Sequence, residues 1–138
     1  MMISTRGRYA LRVLIDLAEH QNCSYIPMKE VAARQDISLN YIERIMPVLT
    51  KAKLVDGVHG KGGGYQLTKS PEQYKVGDIL RLTEGDLAPV ACVGCDAKEC
   101  NRIDECRTFA MWDKFYAITN EYFDGITLAD LMQSQIDI

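Results

Sequence analysis

The stretch DISLNYIERIMPVL, residues 36–49, predicts a short helix with one apolar side. Ser38 suits the N-cap position, because its hydroxyl can accept a hydrogen bond from a free amide at the helix start. Apolar residues then recur at the spacing of one buried helical stripe: Ile42, Ile45, Met46 and Leu49. The outward positions near the start of this helix are Asn40, Tyr41, Glu43 and Arg44.

A second short helix is predicted just before it, over residues 28–35, with Pro27 at its start. Two short helices joined by a tight turn form a helix-turn-helix, whose second helix offers side chains near its N-terminus to base edges in the major groove of DNA. The candidate contacts are therefore Ser38, Asn40, Tyr41, Glu43 and Arg44. Antiparallel helix pairs also occur in proteins that never touch DNA, so the motif needs support from the rest of the chain.

The residues that follow supply this support, because they predict a basic β-hairpin. Leu54 and Val55 begin one strand, a glycine-rich tip follows, and residues 65–67 form the returning strand. His59 and Lys61 lie at the tip, where glycines permit close approach of the backbone. A basic hairpin directly after a helix-turn-helix is a wing. A phosphate-binding loop of a nucleotide enzyme is excluded, since no helix begins after Gly64 and no Lys-Ser/Thr pair is present there.

Charge is distributed unevenly along the chain. The 138 residues carry a net charge of −3, but residues 1–70 carry +4 and residues 71–138 carry −7. A helix from Thr5 to about His20 begins the basic half. Positive charge in this half is suited to DNA phosphates, and the candidate phosphate or groove contacts are Arg6, Arg8, Arg44 and Lys61.

The longest predicted helix runs from Arg107 to about Phe123, after a short helix over residues 76–83. One apolar stripe contains Phe109, Trp112, Tyr116 and Phe123. The other contains Met111, Phe115, Ile118 and Tyr122. A helix that is apolar so far around must be covered on more than one side, and a chain of this length has little left to cover it. A second copy of the chain is therefore predicted to pack on this helix as a two-fold dimer.

A final short helix is predicted from Leu128 to about Ser134, with Thr127 and Asp130 as a capping pair at its start.

Four of the five cysteines lie within fifteen residues: Cys92, Cys95, Cys100 and Cys106. The segment between them contains Gly94 and many charged residues, which suits an exposed loop that wraps a metal. The lone Cys23 is interpreted as a structural or exposed thiol.

The chain contains no run of about eighteen apolar residues and its N-terminus has no signal-peptide core. We therefore expect a cytoplasmic protein without a membrane partner or a small-molecule substrate, in a compartment where thiols act as ligands or redox groups. The fold class expected is mainly α with a small β-hairpin wing, organised as a winged helix-turn-helix DNA-binding domain over 1–84, a cysteine-rich loop over 85–106, and a dimerisation helix with a C-terminal helix over 107–138.

The motifs together resemble the Rrf2 family of bacterial regulators. The resemblance covers residues 1 to about 134 and is carried by STRGRYA at residues 4–10, ISLNYIE at 37–43, GKGGGY at 60–65, and the cysteine loop followed by AMW at 110–112. It implies a homodimeric winged-helix regulator that binds palindromic double-stranded DNA. It also implies that three cysteines of each subunit, here Cys92, Cys100 and Cys106, hold a [2Fe–2S] or [4Fe–4S] cluster that senses iron, redox or nitric-oxide status.

The sequence departs from this family pattern at the fourth ligand. Some relatives use a His three residues after the last cysteine, and others use an acidic residue in the first helix, but these positions are Phe109 and Arg8 here. Cys95 is therefore the predicted fourth ligand. The alternatives are a distant carboxylate, a small thiol, and the nearby acids Asp96, Glu99, Asp104 and Glu105. His59 replaces the arginine common in the wing of relatives, and Pro47 falls inside the recognition helix, where it is expected to bend that helix.

Other interpretations remain at this point. The cysteine spacing is close to that of a compact zinc site, and four thiolates suit tetrahedral zinc, so a winged-helix regulator with structural zinc, or with no metal, is the first alternative. A thiol-redox enzyme using Cys92 and Cys95 is the second, although no βαβ pattern accompanies that pair. We predict a DNA-binding repressor that is not an enzyme.

Overall fold

The computed structural model describes residues 2–133. Within this range the chain forms α1 (Thr5–Glu19), α2 (Met28–Gln35), α3 (Leu39–Lys51), β1 (Val55–Val58), β2 (Gly64–Leu67), α4 (Val76–Glu84), α5 (Phe109–Asp124) and α6 (Leu128–Leu131). Short 3₁₀ turns occur at Pro71–Gln73 and Ile103–Glu105. The predicted fold class, mainly helical with one small hairpin, is confirmed.

Helices α1, α2 and α3 enclose the main apolar core. All four residues of the predicted α3 stripe are buried, and they pack with residues of α1 such as Leu14 and Leu17. The Ser38 hydroxyl accepts a hydrogen bond from the Tyr41 amide at 3.1 Å, which confirms Ser38 as the N-cap of α3. Pro47 has no N–H to donate to the Glu43 carbonyl, yet α3 continues past it to Lys51.

The wing is tied to the helix-turn-helix through its second strand. Strands β1 and β2 pair antiparallel, with Val55 opposite Leu67. Ile26, two residues before α2, exchanges two backbone hydrogen bonds of 2.9 Å with Tyr65 in β2. Gly64 has φ of 151°, and a Cβ there would overlap the Ile26 carbonyl, so only glycine fits this close approach. The wing is therefore positioned relative to α2 and α3 by backbone pairing.

A second apolar cluster joins the later helices to one another. Val76 and Leu80 of α4 pack with Leu87, Ile126 and the half-buried Phe123. Arg81 of α4 donates to Asn120 at 2.7 Å and also to Asp124, so a polar clamp reinforces the contact between α4 and α5. This packing holds the carboxyl-terminal half of α5 against the winged helix.

Two predicted helix boundaries need correction. Helix α5 begins at Phe109, two residues later than predicted, because the Thr108 carbonyl accepts the first helical bond from Trp112 at 3.1 Å and Thr108 is its N-cap. Helix α6 ends at Leu131, and its predicted end at Ser134 lies outside the described residues. The capping pair of α6 is confirmed, since Thr127 and Asp130 bond each other's backbone amides at 2.9 and 3.2 Å.

A buried ion pair links α1 to α2. The Asp16 side chain is fully buried, and it accepts hydrogen bonds from Arg34 at 2.7 Å and from Gln35 at 2.9 Å. Hydrogen bonding to Asp16 raises the pKa of Arg34, although burial opposes this. The carboxylate is therefore satisfied only while the end of α2 lies against α1.

Replacing Arg34 by Met is expected to lower the free energy of unfolding by about 3 kcal/mol, because removing one partner leaves a buried charge without compensation. The matched control is Glu30→Ala, which removes the other partner of Arg34, a 58% exposed carboxylate 3.6 Å away, and is expected to cost less than about 1 kcal/mol. Urea denaturation measures both values. Equal effects of the two substitutions would contradict a structural role for the buried pair.

Among residues 2–133, no helix has the length and apolar character needed to cross a lipid bilayer.

Candidate functional site

Two of the four predicted phosphate or groove contacts, Arg6 and Arg44, come together where α1 meets α3. Arg6 of α1 lines an open cavity of about 290 Å³ with Tyr41 and Arg44 of α3, and both arginines are exposed. Residues far apart in sequence thus place two positive charges beside one aromatic side chain. An open, doubly cationic site of this kind suits a DNA phosphate.

A second cavity of about 430 Å³ lies between α3 and the wing. Glu43 and His59 both line it, together with Leu39, Met46, Val58 and Tyr65. The predicted base reader on α3 and the predicted groove contact at the wing tip therefore face a shared space. Lys61 is exposed on the turn next to His59. A glutamate on the recognition helix is suited to accept a hydrogen bond from cytosine N4 in the major groove.

The other predicted contacts occupy exposed positions near the starts of α1 and α3. Asn40 is exposed in the first turn of α3. Ser38 uses its hydroxyl to cap α3, and Arg8 donates to the Thr5 hydroxyl at 2.9 Å. Sequence reasoning missed Tyr9, whose ring contacts the Tyr41 ring edge-on, with 5.3 Å between ring centroids. Tyr9 therefore helps to orient the Tyr41 side chain, an arrangement that no local sequence pattern indicates.

The two stripes of α5 differ in their environment. Phe109, Trp112, Tyr116 and Phe123 are half-buried against their own chain. Met111, Phe115, Ile118 and Tyr122 are between 43% and 53% exposed. This exposed set forms one contiguous side of the helix, next to the half-buried one, and we call it the α5 apolar face. Clustered exposed side chains of this size are typical of a surface that binds a protein partner.

The sequence predicts that the four thiols of the cysteine loop converge on one metal, and the structure shows where each thiol lies. Cys92 and Cys100 line one open cavity of about 490 Å³. Cys95, Cys100 and Cys106 are exposed and Cys92 is half-buried, and all four are free thiols. No three of the Cys, His, Asp and Glu side chains within residues 2–133 are grouped closely enough to hold a metal. The thiols have the chemistry that iron or zinc requires, but the loop must rearrange before they share a metal.

The surroundings of Cys106 favour its thiolate form. Its sulfur lies 3.4 Å from the Thr108 hydroxyl, immediately before α5. Hydrogen bonding by Thr108 and by the first amides of α5, together with the positive charge of Arg102, lowers the pKa of Cys106 below that of a free thiol. Because the thiolate is the form that binds metals, this position favours a ligand role.

Asp86 connects the cysteine loop to α5, and sequence reasoning did not identify it. Its carboxylate accepts hydrogen bonds from the Tyr116 hydroxyl at 2.9 Å and from the Cys95 amide at 3.1 Å. Burial favours its protonated form, but these bonds and those from nearby backbone amides lower its pKa overall. Burial and the Asp86 carboxylate raise the pKa of Tyr116 to about 12. An isolated aspartate in a loop carries no sequence signal for such a connection.

Comparison with known proteins places this arrangement in a family. The family model Rrf2, described as "Iron-dependent Transcriptional regulator", matches residues 3–134. The chain is 33% identical over 135 residues to the HTH-type transcriptional regulator IscR of Sodalis glossinidius, covering 98% of this chain and 81% of that relative.

Solved structures agree with this comparison. The global cysteine regulator CymR of B. subtilis superposes with a TM-score of 0.76 at 32% identity, covering 96% of each chain. IscR of T. potens superposes with a TM-score of 0.72 at 33% identity, covering 96% of this chain and 86% of that one. The chain therefore belongs to the Rrf2 family and is a DNA-binding transcriptional regulator, not an enzyme.

Proposed function

We propose that this protein is a homodimeric repressor whose affinity for operator DNA responds to an iron–sulfur cluster held by the cysteine loop. The observation that carries the proposal is the position of that loop. It connects the winged helix to a helix with an uncovered apolar face, and it contains four free thiols. We assign DNA binding to residues 1–84, cluster binding to 85–106, and dimerisation to 107–138.

Two copies of the chain would present two recognition helices and two wings at a fixed spacing. Such an arrangement reads a palindromic site, because a two-fold protein requires two half-sites in inverted orientation. The surfaces available for this are the Arg6, Tyr41 and Arg44 cavity and the Glu43 and His59 cavity. The α5 apolar face supplies the area for self-association.

Cys92, Cys100 and Cys106 are the proposed ligands, with Cys95 as the fourth. A bound cluster would supply iron and sulfide that react with oxygen or nitric oxide or that are lost when iron is scarce. Cys92 lies on the winged-helix side of the loop and Cys106 lies directly before α5. A loop that loses its metal regains conformational freedom, so the loss would change how α5 and the winged helix are held. The family description as iron-dependent supports this reading.

Anaerobic purification with iron and sulfide analysis tests the cofactor directly. We expect a brown or red protein with visible absorption, and a change in operator affinity after the cluster is removed. A colourless protein with bound zinc would show that the loop holds a structural metal instead of a cluster. The DNA-binding part of the proposal would still stand. A metal-free protein whose operator affinity does not depend on iron or oxidation would contradict the sensing role.

The contribution of Lys61 to phosphate binding is tested by its salt dependence. Lys61→Ala is expected to weaken binding to all DNA sequences and to reduce the slope of log affinity against log salt by about one. The control is Lys114→Ala, which removes another exposed positive charge, this one from α5 in the acidic half. Fluorescence anisotropy over a range of salt concentrations measures both slopes. An equal change of slope in the two variants would exclude a wing contact.

Glu43 is expected to act on base preference instead. Glu43→Ala should lower the ratio of specific to non-specific affinity by about 10-fold or more, because one good base contact contributes about 1–3 kcal/mol of discrimination. Competition between operator and random DNA measures this ratio. Equal loss of specific and non-specific affinity would count against a role for Glu43 in reading bases.

A further inference from the structure

One carboxylate joins three parts of the chain beside the cysteine loop. Asp86 lies just after α4, where it accepts a 2.7 Å hydrogen bond from the Leu87 amide. The same carboxylate accepts from the Tyr116 hydroxyl in α5 and from the Cys95 amide in the loop. Asp86 is half-buried, and charge-assisted hydrogen bonds are stronger where water is partly excluded. The end of α4, the first turn of the loop and α5 therefore meet at a single side chain.

Gly94 shows how closely the loop approaches this carboxylate. Its φ of 108° is left-handed, and a Cβ added at this position would overlap Asp86 Oδ2. A glycine is thus required both by the backbone conformation and by the space available. The Cys95 amide bond and the close approach of Gly94 hold the turn from Cys92 to Cys95 against Asp86.

The contact on α5 lies on its half-buried side and not on its apolar face. Tyr116 is seven residues into α5, about 10 Å along the helix axis, and belongs to the half-buried stripe. The carboxyl-terminal part of the same helix is clamped to α4 through Arg81, Asn120 and Asp124. A shift of Cys95 would therefore act on α5 at Tyr116. This residue lies between the first turn of α5, which follows the cysteine loop, and the clamp.

We propose that Asp86 and Tyr116 are positioning residues that hold the Cys92–Cys95 turn on α5 and transmit the state of the cysteine loop to that helix. The inference deepens the proposed function and rests on it for its regulatory meaning. The proposed connection consists of two hydrogen bonds, from the Cys95 amide to Asp86 and from the Tyr116 hydroxyl to Asp86. Both bonds join protein groups only, so they can be measured in protein without a cluster. When a cluster orders the loop, the Asp86 carboxylate would pass the change to α5. Helix α5 would then pass it to the second subunit.

Amide hydrogen exchange in the reduced, metal-free protein tests the connection. Tyr116→Phe removes only the hydroxyl that holds Asp86, so we expect the Cys95 amide to exchange about 10-fold faster. The matched control is Tyr122→Phe, which removes a hydroxyl from a half-exposed tyrosine of α5 that makes no side-chain hydrogen bond within residues 2–133. Thermal melting establishes that both variants remain folded. Unchanged exchange at Cys95 in folded Tyr116→Phe would overturn the proposal.

The reverse direction is tested from the loop. In protein labelled with fluorotyrosine, the Tyr116 and Tyr122 resonances are assigned by their loss in the two phenylalanine variants. Gly94→Ala displaces the turn from Asp86, so we expect the Tyr116 resonance to move while that of Tyr122 stays in place. A Tyr116 resonance that does not respond to Gly94→Ala would show that the loop does not act on α5 through this path.

A third measurement separates this inference from the proposed function. Operator affinity is compared with and without reconstituted cluster in wild type and in Tyr116→Phe, and we expect the difference between the two states to shrink at least about threefold in the variant. If the wild type binds no cluster, the proposed function fails, and the two metal-free measurements still decide the connection. If the variant responds to the cluster as wild type does, the proposed transmission is wrong although the cluster function stands.

Discussion

Replacing Phe115 and Ile118 together by aspartate is expected to convert the protein to monomers and to weaken operator binding by about 100-fold or more. Both side chains lie at the centre of the α5 apolar face, and they are 43% and 51% exposed in the single chain. Two like charges placed on each side of a two-fold interface would be desolvated without partners, and central apolar residues contribute most of the binding energy of such interfaces. Light scattering gives the oligomeric state, and anisotropy gives the DNA affinity.

The matched control is Ala110→Asp with Ala117→Asp. These exposed alanines lie on the third side of α5, away from both apolar stripes, so the pair adds the same charge to the same helix. We expect this control to remain a dimer and to retain most of its operator affinity. If the Phe115 and Ile118 variant still dimerises, the interface lies elsewhere. If the control becomes monomeric, added charge on α5 is enough to break the dimer, and the apolar face is not specifically required.

Serine substitutions in the cysteine loop are expected to have the second large effect. Cys92→Ser, Cys100→Ser and Cys106→Ser should each abolish the visible absorption of anaerobically reconstituted protein, because a hydroxyl does not replace a thiolate as an iron ligand. Cys95→Ser should change the spectrum or shorten the lifetime of the chromophore in air. Absorption spectra with iron and sulfide analysis distinguish these outcomes.

Cys23→Ser is the control for these variants. Cys23 is an exposed free thiol in the connection between α1 and α2, outside the loop, and its loss should leave the spectrum unchanged. If Cys95→Ser also leaves both spectrum and air stability unchanged, Cys95 is a bystander thiol. A chromophore that survives any one of the other three substitutions would remove that cysteine from the ligand set.

The winged helix was predictable because its signals are local. The stripe on α3, the Ser38 cap and the glycine-rich wing tip each depend on residues a few positions apart, and the structure confirms all three. The two stripes of α5 were also visible in the sequence, since helical periodicity assigns residues to sides of a helix. Periodicity does not state which stripe the chain covers itself, and only the packing against α4 and the following segment assigns that role to the stripe containing Tyr116.

The candidate sites depended on contacts between distant residues. Arg6 and Arg44 line one cavity because α1 packs against α3. Glu43 and His59 line another because backbone pairing with Ile26 fixes the position of the wing. For the cysteines, spacing alone indicated one metal centre, whereas the structure adds that the Cys95 amide is bonded to Asp86 and that the Cys106 sulfur lies beside Thr108, the N-cap of α5. The Cys95 amide bond to Asp86 and the tight turn at Gly94 depend on a residue outside the cysteine motif.

The sequence by itself therefore determined the family, the winged-helix fold, the basic half and the candidate residues for binding DNA or metal, because residue type and short-range spacing carry that information. The tertiary structure alone decided which side of α5 remains free, which arginine joins the recognition helix, and that Asp86 connects the cysteine loop to α5. Each of these depends on side chains that meet from separate elements. Such contacts arise from packing of the whole chain, and no local pattern encodes them.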